Sequence, residues 1–386
     1  MRVLLHTGKG GVGKTSLAVA TALGAARHGH RVCLLSTDAA HSLGDALGRP
    51  VGPRPLEVAP GVVAQEISAL VELDRSWEAI HGWLAALLHD GSNEMVSEEL
   101  LILPGMEEIV ALRAVRALVA GGEFDVCVLD CAPTSSTLRL LRIPDVLRWF
   151  MEHLFELERS TARLVRPLAR SLGAARFVAP EEVFEAVESL YAELEGVQEM
   201  LQDADQTSAR LVVNPARVIV AETRRTFSYL SLYGVATDAV LVNRVLPAEA
   251  ARGYFAHWAK REAELLEEIA ASFPVPRLHA QLRPREPIGL EALGALAEEL
   301  YAGEDPARHF VRASPLRLSR EAGRTRLEID LPGSDAGDVD VSVYGEDLLV
   351  RVRDVHRRIS LPTSIAGRSI DAATLREGTL EIVFTS

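Results

Sequence analysis

Lysine is scarce in this chain of 386 residues: of its 41 basic side chains only three are lysines, Lys9, Lys14 and Lys260. Where positive charge is otherwise written as arginine, a retained lysine marks a place that needs a compact, point-like ammonium and not a planar guanidinium. Cysteine is equally sparse. Cys33, Cys127 and Cys131 form no C-x-x-C pair, which argues against a disulfide framework and against a zinc site built from cysteine pairs. Each reads as a buried residue in or just after a strand, and no zinc is expected. Basic excess is missing too. With a formal net charge of -13, the chain lacks the positive surface that a general nucleic-acid binder uses to neutralise phosphate, so no nucleic acid partner is expected. No run approaches about 18 uninterrupted apolar residues, and the first strand begins almost at Met1 with no room for a cleaved signal. The expectation is a soluble, cytoplasmic protein. Five methionines are few for an adaptable, promiscuous surface.

What is present is enough length and apolar content for two or three domains' worth of sequence, and an octet near the start, Gly8-Lys9-Gly10-Gly11-Val12-Gly13-Lys14-Thr15. It satisfies G-x-x-x-x-G-K-[ST], in which glycines free the backbone to wrap phosphates, Lys14 reaches the β and γ phosphates and the Thr15 hydroxyl ligates Mg²⁺. The flanks agree. Met1 to Thr7 carries Val3-Leu4-Leu5, a buried strand, while Ser16 to Arg27 is rich in alanine and leucine and reads as a helix that stops near Gly29. Phosphate thus meets a helix N-terminus, where unpaired amides and the macrodipole favour an anion. Lys9 stands outside this pattern. Since Lys14 already serves the β and γ phosphates, a second ammonium on the loop must point elsewhere or serve another nucleotide.

Apolar runs at 31–36, 62–67, 125–130, 210–214, 238–243 and 275–278 read as strands separated by helical patterns. That rhythm predicts an α/β fold, a doubly wound parallel sheet of the P-loop NTPase type covered on both faces. Two stretches, about 73–118 and 145–203, stay helical and amphipathic for too long and read as helical insertions. From about His309 the pattern steps by two: Leu327-Ile329-Leu331, Val339-Val341-Val343, Leu348-Val350-Val352 and Leu380-Ile382-Phe384 alternate with polar residues. That is the pattern of short antiparallel strands in a small all-β sandwich. The expected domains are 1–308 and 309–386.

Two further segments carry chemistry, and both follow predicted strands, where the carboxyl edge of an α/β sheet gathers its ligands. The first is Ser36-Thr37-Asp38-Ala39-Ala40-His41-Ser42-Leu43-Gly44-Asp45. Asp38 at a strand tip can accept a hydrogen bond from an attacking water, and its carboxylate can also face Mg²⁺. The second is Asp130-Cys131-Ala132-Pro133-Thr134-Ser135-Ser136-Thr137. Asp130 is placed to hold Mg²⁺ directly or through a water.

With these segments in hand the chain resembles the family that joins arsenite-pump ATPases and the targeting factors for tail-anchored membrane proteins. The family patterns S-T-D-P-A-H-N-L-S-D and D-T-A-P-T-G-H-T-L-R are matched by S-T-D-A-A-H-S-L-G-D from Ser36 and D-C-A-P-T-S-S-T-L-R from Asp130, and the likeness spans about the first 300 residues. The octet resembles the deviant Walker A loop of that wider ATPase class, whose signature lysine reaches across a dimer to the partner's ATP. The resemblance implies a homodimer with facing sites and Lys9 acting in trans. It implies Asp38 as the water-positioning carboxylate, and a switch set of Asp38, His41, Asp45, Asp130, Pro133 and Thr134. It also implies nucleotide contacts at Ser16, Glu222 and Asn243 and an adenine-side loop at Glu286. A strand-ending Asn243 could equally serve its own turn. The chain departs from the family at Ala39, where proline is usual, and at Ser135-Ser136, in place of glycine-histidine. The region from Ala250 to Glu268, where eukaryotic targeting factors bind zinc, has no cysteine, and no second phosphate loop occurs as in fused arsenite pumps. The C-terminal segments Leu331-Pro332-Gly333, Arg358 to Pro362 and Gly378 to Ile382 resemble the small heat-shock (α-crystallin) domain. The short loop at Asp354 to His356 leaves no room for that domain's exchanged strand, so the sandwich reads as a docked accessory.

The expected function is a homodimeric ATPase that uses ATP and Mg²⁺ and couples hydrolysis to binding of a hydrophobic client polypeptide, with a membrane receptor as a further possible partner. Trp149, Phe150, Met151, Leu154 and Phe155 are the candidate client groove, since amphipathic helices take up apolar partners. An arsenite or anion-transport motor, and a nucleotide-switched scaffold that recruits a partner through the β domain, are the alternatives.

Overall fold

A computed structural model of the chain describes residues 1–38, 42–67, 79–80, 82–83, 106–132, 134–151, 155, 158–162, 165, 178–321, 324–345, 347–362, 365 and 367–385. In chain order the first region comprises β1 (Arg2–Thr7), α1 (Lys14–Arg27), β2 (Val32–Ser36), α2 (Ser42–Leu47), β3 (Leu56–Ala59), β4 (Val62–Glu66), α3 (Met106–Gly121), β5 (Val126–Asp130), α4 (Thr134–Phe150), α5 (Glu181–Glu193), α6 (Val197–Gln202), β6 (Thr207–Val213), α7 (Arg217–Leu232), β7 (Thr237–Val245), α8 (Ala256–Ser272), β8 (Arg277–Gln281) and α9 (Gly289–Tyr301). Eight strands form one sheet in the order β3-β4-β2-β5-β1-β6-β7-β8. Neighbours run parallel, apart from the antiparallel edge pair β3 and β4. The strand β3, flanked by Pro53 and Pro55, was not foreseen. Much of the first expected insertion lies outside the described residues; its end is α3, and the second contributes α5 and α6.

The central strands β1, β2, β5 and β6 are buried along their whole length because both faces of the sheet are covered there, whereas the edge strands β3 and β8 are partly exposed. Val3, Leu5, Cys33, Leu35, Cys127 and Leu129 join one core with α3, α4 and α7. Leu4, Val32, Leu34, Val126 and Val128 join a second with α1 and α9. Period-two alternation therefore sorts residues between two interiors, and neither face meets water. A charged cluster is embedded in this region. Arg210 and Asp238, both fully buried, pair at 3.2 Å, and Arg2 reaches Asp238 at 3.1 Å. Arg210 also donates to the Pro306 carbonyl at 2.7 Å and the Tyr301 hydroxyl at 3.1 Å, and lies over the Phe310 ring. This cluster fastens the segment after α9 to the sheet.

The C-terminal region comprises β9 (Leu316–Glu321), β10 (Arg324–Asp330), β11 (Val339–Tyr344), β12 (Asp347–Val352), β13 (Val355–Ser360), β14 (Ile370–Arg376) and β15 (Thr379–Phe384). A four-stranded sheet, β14-β15-β10-β9, faces a three-stranded one, β11-β12-β13, all pairs antiparallel. Leu327, Ile329, Leu348, Val350, Leu380, Ile382 and Phe384 fill the interior. The sandwich docks on the far end of α7. Ser228 donates to the Pro332 carbonyl at 2.7 Å, Tyr229 to Asp354 at 2.9 Å and Arg357 to the Leu232 carbonyl at 2.6 Å. Arg357 is itself buried, above the Tyr233 ring and 3.8 Å from Asp145 of α4. Among the described residues no helix is long and apolar enough to cross a membrane.

Candidate functional site

The octet turns from β1 into α1 at the carboxyl edge of the sheet. Gly8, at φ 155°, leaves no space for a side chain: a Cβ there would strike the Val212 carbonyl. Gly13 takes a left-handed φ of 96° as the residue before α1, and a Cβ would run into the Asn243 amide. No side chain caps α1, so its first amides are left for an anion, as a phosphate cradle requires. Gly10 and Gly11 are exposed at the tip and Val12 is fully buried beneath it. Lys14 is buried, its ammonium 3.5 Å from the Lys9 carbonyl inside the curl of the loop.

On one side of the loop stand the oxygen ligands. Asp130 closes β5 beside β1, fully buried, and its Oδ1 has no hydrogen-bond partner. Burial pushes its carboxyl up to about 7, against the pull of the Thr15 hydroxyl and the Lys14 ammonium, with the nearby Asp38 charge adding to the rise. The Thr15 hydroxyl lies 3.0 Å from that of Ser42, and Asp38, whose amide donates to the Ser36 hydroxyl at 3.3 Å, completes the group. An orphaned buried carboxylate oxygen among hydroxyl and carboxylate donors suits a hard divalent cation such as Mg²⁺. Glu66 accepts the amides of Leu43 and Gly44 at 3.1 Å each, anchoring α2 beside this group. Asp45 is exposed on α2, away from the cation ligands. His41 and Pro133 lie outside the described residues.

On the second side, Gly13, Ser16, Asn243, Arg244 and Glu286 line a cavity of ≈ 320 Å³ at the mouth of the loop. Asn243 spends its amide on structure, donating to the Val12 carbonyl at 2.8 Å and accepting from the Arg244 amide at 2.9 Å. Asn214, which the sequence reading missed, does likewise: with its amide turned to satisfy both atoms, it donates to Val12 at 3.1 Å and to the Asn243 carbonyl at 3.3 Å. The signal was there in the repeat Val212-Val213-Asn214 and Leu241-Val242-Asn243, whose first two residues lie side by side on β6 and β7 with Val213 opposite Val242. Ser36, within 3.5 Å of Asp130, was also overlooked.

On the third side is Lys9. Its ammonium pairs with Glu222 of α7 at 2.6 Å, and the other Glu222 oxygen accepts from Thr134, the first residue of α4, at 3.3 Å. Glu222 is therefore held by the loop and the segment after Asp130, apart from the cavity that holds Asn243 and Glu286.

The client-groove residues fare differently. Phe155 is 2% exposed and packs edge-on against Phe184 at 5.8 Å, with Met151 beside it. It belongs here to a small helical core cluster. Leu154 and the side chains of Trp149 and Phe150 lie outside the described residues. All three cysteines are buried and free. Burial pushes the Cys33 and Cys131 thiols up to about 12 and Cys127 well above its ordinary value.

Comparison with known proteins gives two family matches. Residues 1–302 match the anion-transporting ATPase family, and residues 322–384 match the HSP20-like domain found in ArsA. A protein of Chlorobaculum tepidum, named for an arsenical pump-driving ATPase, is 34% identical over all of this chain and 96% of its own length. One from Aquifex aeolicus with the same kind of name is 33% identical across the whole of both chains. ATPase GET3 of Malassezia globosa is 29% identical over 78% of this chain and 90% of its own.

Proposed function

This chain belongs to the anion-transporting ATPase family and is an ATPase, and we propose that it works as a homodimer in which Lys9 of each protomer completes its partner's ATP site. In this reading each pocket divides its labour. The amides at the start of α1 and Lys14 hold the phosphates. Thr15, Asp130 and Asp38 would hold Mg²⁺, which when bound supplies charge neutralisation at the β and γ oxygens. Asp38 also orients the attacking water. The observation that carries the pairing is the direction of Lys9: one loop bears two ammonium groups, and while Lys14 is buried in the cradle, Lys9 turns to Glu222. An ammonium supplied to the partner acts as an arginine finger does, a contribution on the order of 10³ to 10⁵ in rate. Lys9→Ala should keep ATP binding, measured by equilibrium dialysis, and lose most turnover. Unchanged steady-state hydrolysis would contradict it.

The cycle, in this proposal, drives capture and release of a hydrophobic client polypeptide, with a membrane receptor as a further partner. The helices between α4 and β6 supply the client site, and the Phe155 cluster opens to admit the client. Polypeptides that copurify with the protein and leave on hydrolysis would support this; equal retention with and without ATP would sink it. The names of the relatives favour a metalloid motor as a second reading. Buried, protonated thiols are poor ligands, so hydrolysis should not respond to arsenite; stimulation by arsenite would favour the motor. A third reading makes the sandwich a recruiting surface. Deleting residues 314–386 separates it, because loss of partner association with client binding intact would point to a scaffold.

A further inference from the structure

We propose that Glu222 is a positioning residue for Lys9: in the lone protomer it clasps the lysine in cis and so delays its transfer to a partner's nucleotide. The proposal rests on the paired-site reading above. Three observations carry it. The Lys9 ammonium lies 2.6 Å from one Glu222 oxygen, so the lysine has an acidic partner within its own chain. The other oxygen accepts from Thr134, which ties the clasp to the segment that follows Asp130, the buried carboxylate of the cation site. Both side chains keep partial access to water, 38% for Lys9 and 23% for Glu222.

The last observation sets the strength. An ion pair this exposed shifts an equilibrium by up to about fivefold, because solvent screens it and ordering two long side chains costs entropy. A clasp of that size restrains Lys9 without trapping it. The triphosphate of a partner, with several negative charges against the single charge of Glu222, wins the ammonium once two protomers meet. Glu222 also offsets the repulsion between Lys9 and Lys14 on one short loop while no phosphate is there to do so. As Lys9 leaves, Glu222 keeps its hydrogen bond from Thr134, so release is felt at the start of α4.

The scarcity of lysine makes the test direct. With only three lysines in the chain, acylation by an amine-reactive ester can be followed at Lys9 by peptide mass, using exposed Lys260 as the internal reference. In nucleotide-free protein, Glu222→Gln should raise the Lys9 rate relative to Lys260 by about three- to fivefold, and Thr134→Val by less. The same Gln variant should reach half-maximal specific ATPase activity at a protein concentration lower by a similar factor. An unchanged Lys9 rate, or a raised KM for ATP with no change in the Lys9 rate, would overturn the clasp and leave Glu222 a nucleotide contact. A faster Lys9 rate in a protein whose specific activity never depends on its concentration would instead overturn the paired-site reading, and with it the delaying role of the clasp.

Discussion

The two halves of the chain solve burial in opposite ways. In the parallel sheet, β1, β2 and β5 are buried along their whole length, so polar side chains on those strands have no water to turn to: His6 and Asp130 are fully buried, and neither His6 ring nitrogen has a partner. In the sandwich, β10, β12 and β15 alternate buried and accessible residues, and nearly every charge can reach solvent. Among the described residues Arg357, at the junction, is the sandwich's buried charge. Desolvated polar groups are the raw material of chemistry, because burial is what moves their proton and ligand affinities. The difference therefore explains why the candidate site sits on the first region and why the second serves as a docked body. It also says where the molecule should be sensitive to charge.

The most damaging change should be at the charged cluster. Arg210→Met leaves Asp238 buried with Arg2 as its remaining partner and strips the Pro306 and Arg308 carbonyls of their donor, a loss of about 3 kcal/mol by the usual cost of breaking a buried pair. Urea unfolding would measure it. A loss under about 1 kcal/mol would mean that this region tolerates buried charge as easily as the sandwich tolerates exposed charge.

The pH response comes next. Burial raises the Asp130 carboxyl from 3.8 to about 7, so the folded protein keeps a proton that the unfolded chain releases. Stability then falls by up to about 1.4 kcal/mol per unit as pH rises from about 4 to about 7. His6 opposes this. Its imidazole is held well below 6.5 by burial and by the Arg210 charge, so stability is lost as pH falls below 6.5, where the unfolded chain takes up a proton the folded one refuses. The two effects offset each other in that window. Asp130→Asn should expose the His6 limb, with stability climbing from about pH 5 to 6.5, and should exceed the parent by on the order of 2 kcal/mol at about pH 8 without metal. Matching profiles for the two proteins would show that Asp130 is not desolvated.

The smallest effects belong to the junction. Tyr229→Phe removes one hydroxyl bond to Asp354 and should cost about 1 kcal/mol. Arg357→Met removes the guanidinium from over Tyr233 and leaves the Leu232 carbonyl without its donor, and should cost about 1 to 2 kcal/mol. If either change melts the sandwich alone in calorimetry and leaves the first region's transition in place, the junction is a simple dock. A shift of both transitions together would show that the halves unfold as one body.

How much could be read from the sequence follows from the same contrast. The octet was legible because its spacing is fixed by phosphate geometry, and Asp130 because an acidic residue ends a fully apolar strand. The alternation of β10, β12 and β15 announced the sandwich. What escaped had no periodic signal. The edge strand β3 is four residues with one buried, and β14 is mostly exposed, so neither carries an apolar stripe. Asn214 and Glu66 act through backbone amides and carbonyls, and such bonds depend on which strands become neighbours, a fact of tertiary structure. Phe155 is ambiguous for the converse reason: an apolar residue at helical spacing reads the same whether it faces a client or its own core.

The central claim is that an ammonium crosses between protomers, and mixing two inactive variants tests it most directly. Lys9→Ala has an intact cradle and no lysine to lend; Lys14→Ala has a ruined cradle and Lys9 to give. Each alone should be nearly inactive. Mixed in equal amounts and allowed to re-pair, they should recover about one-quarter of the parental ATPase rate, since half the dimers then hold one competent site. A mixture as inactive as its components would contradict the account.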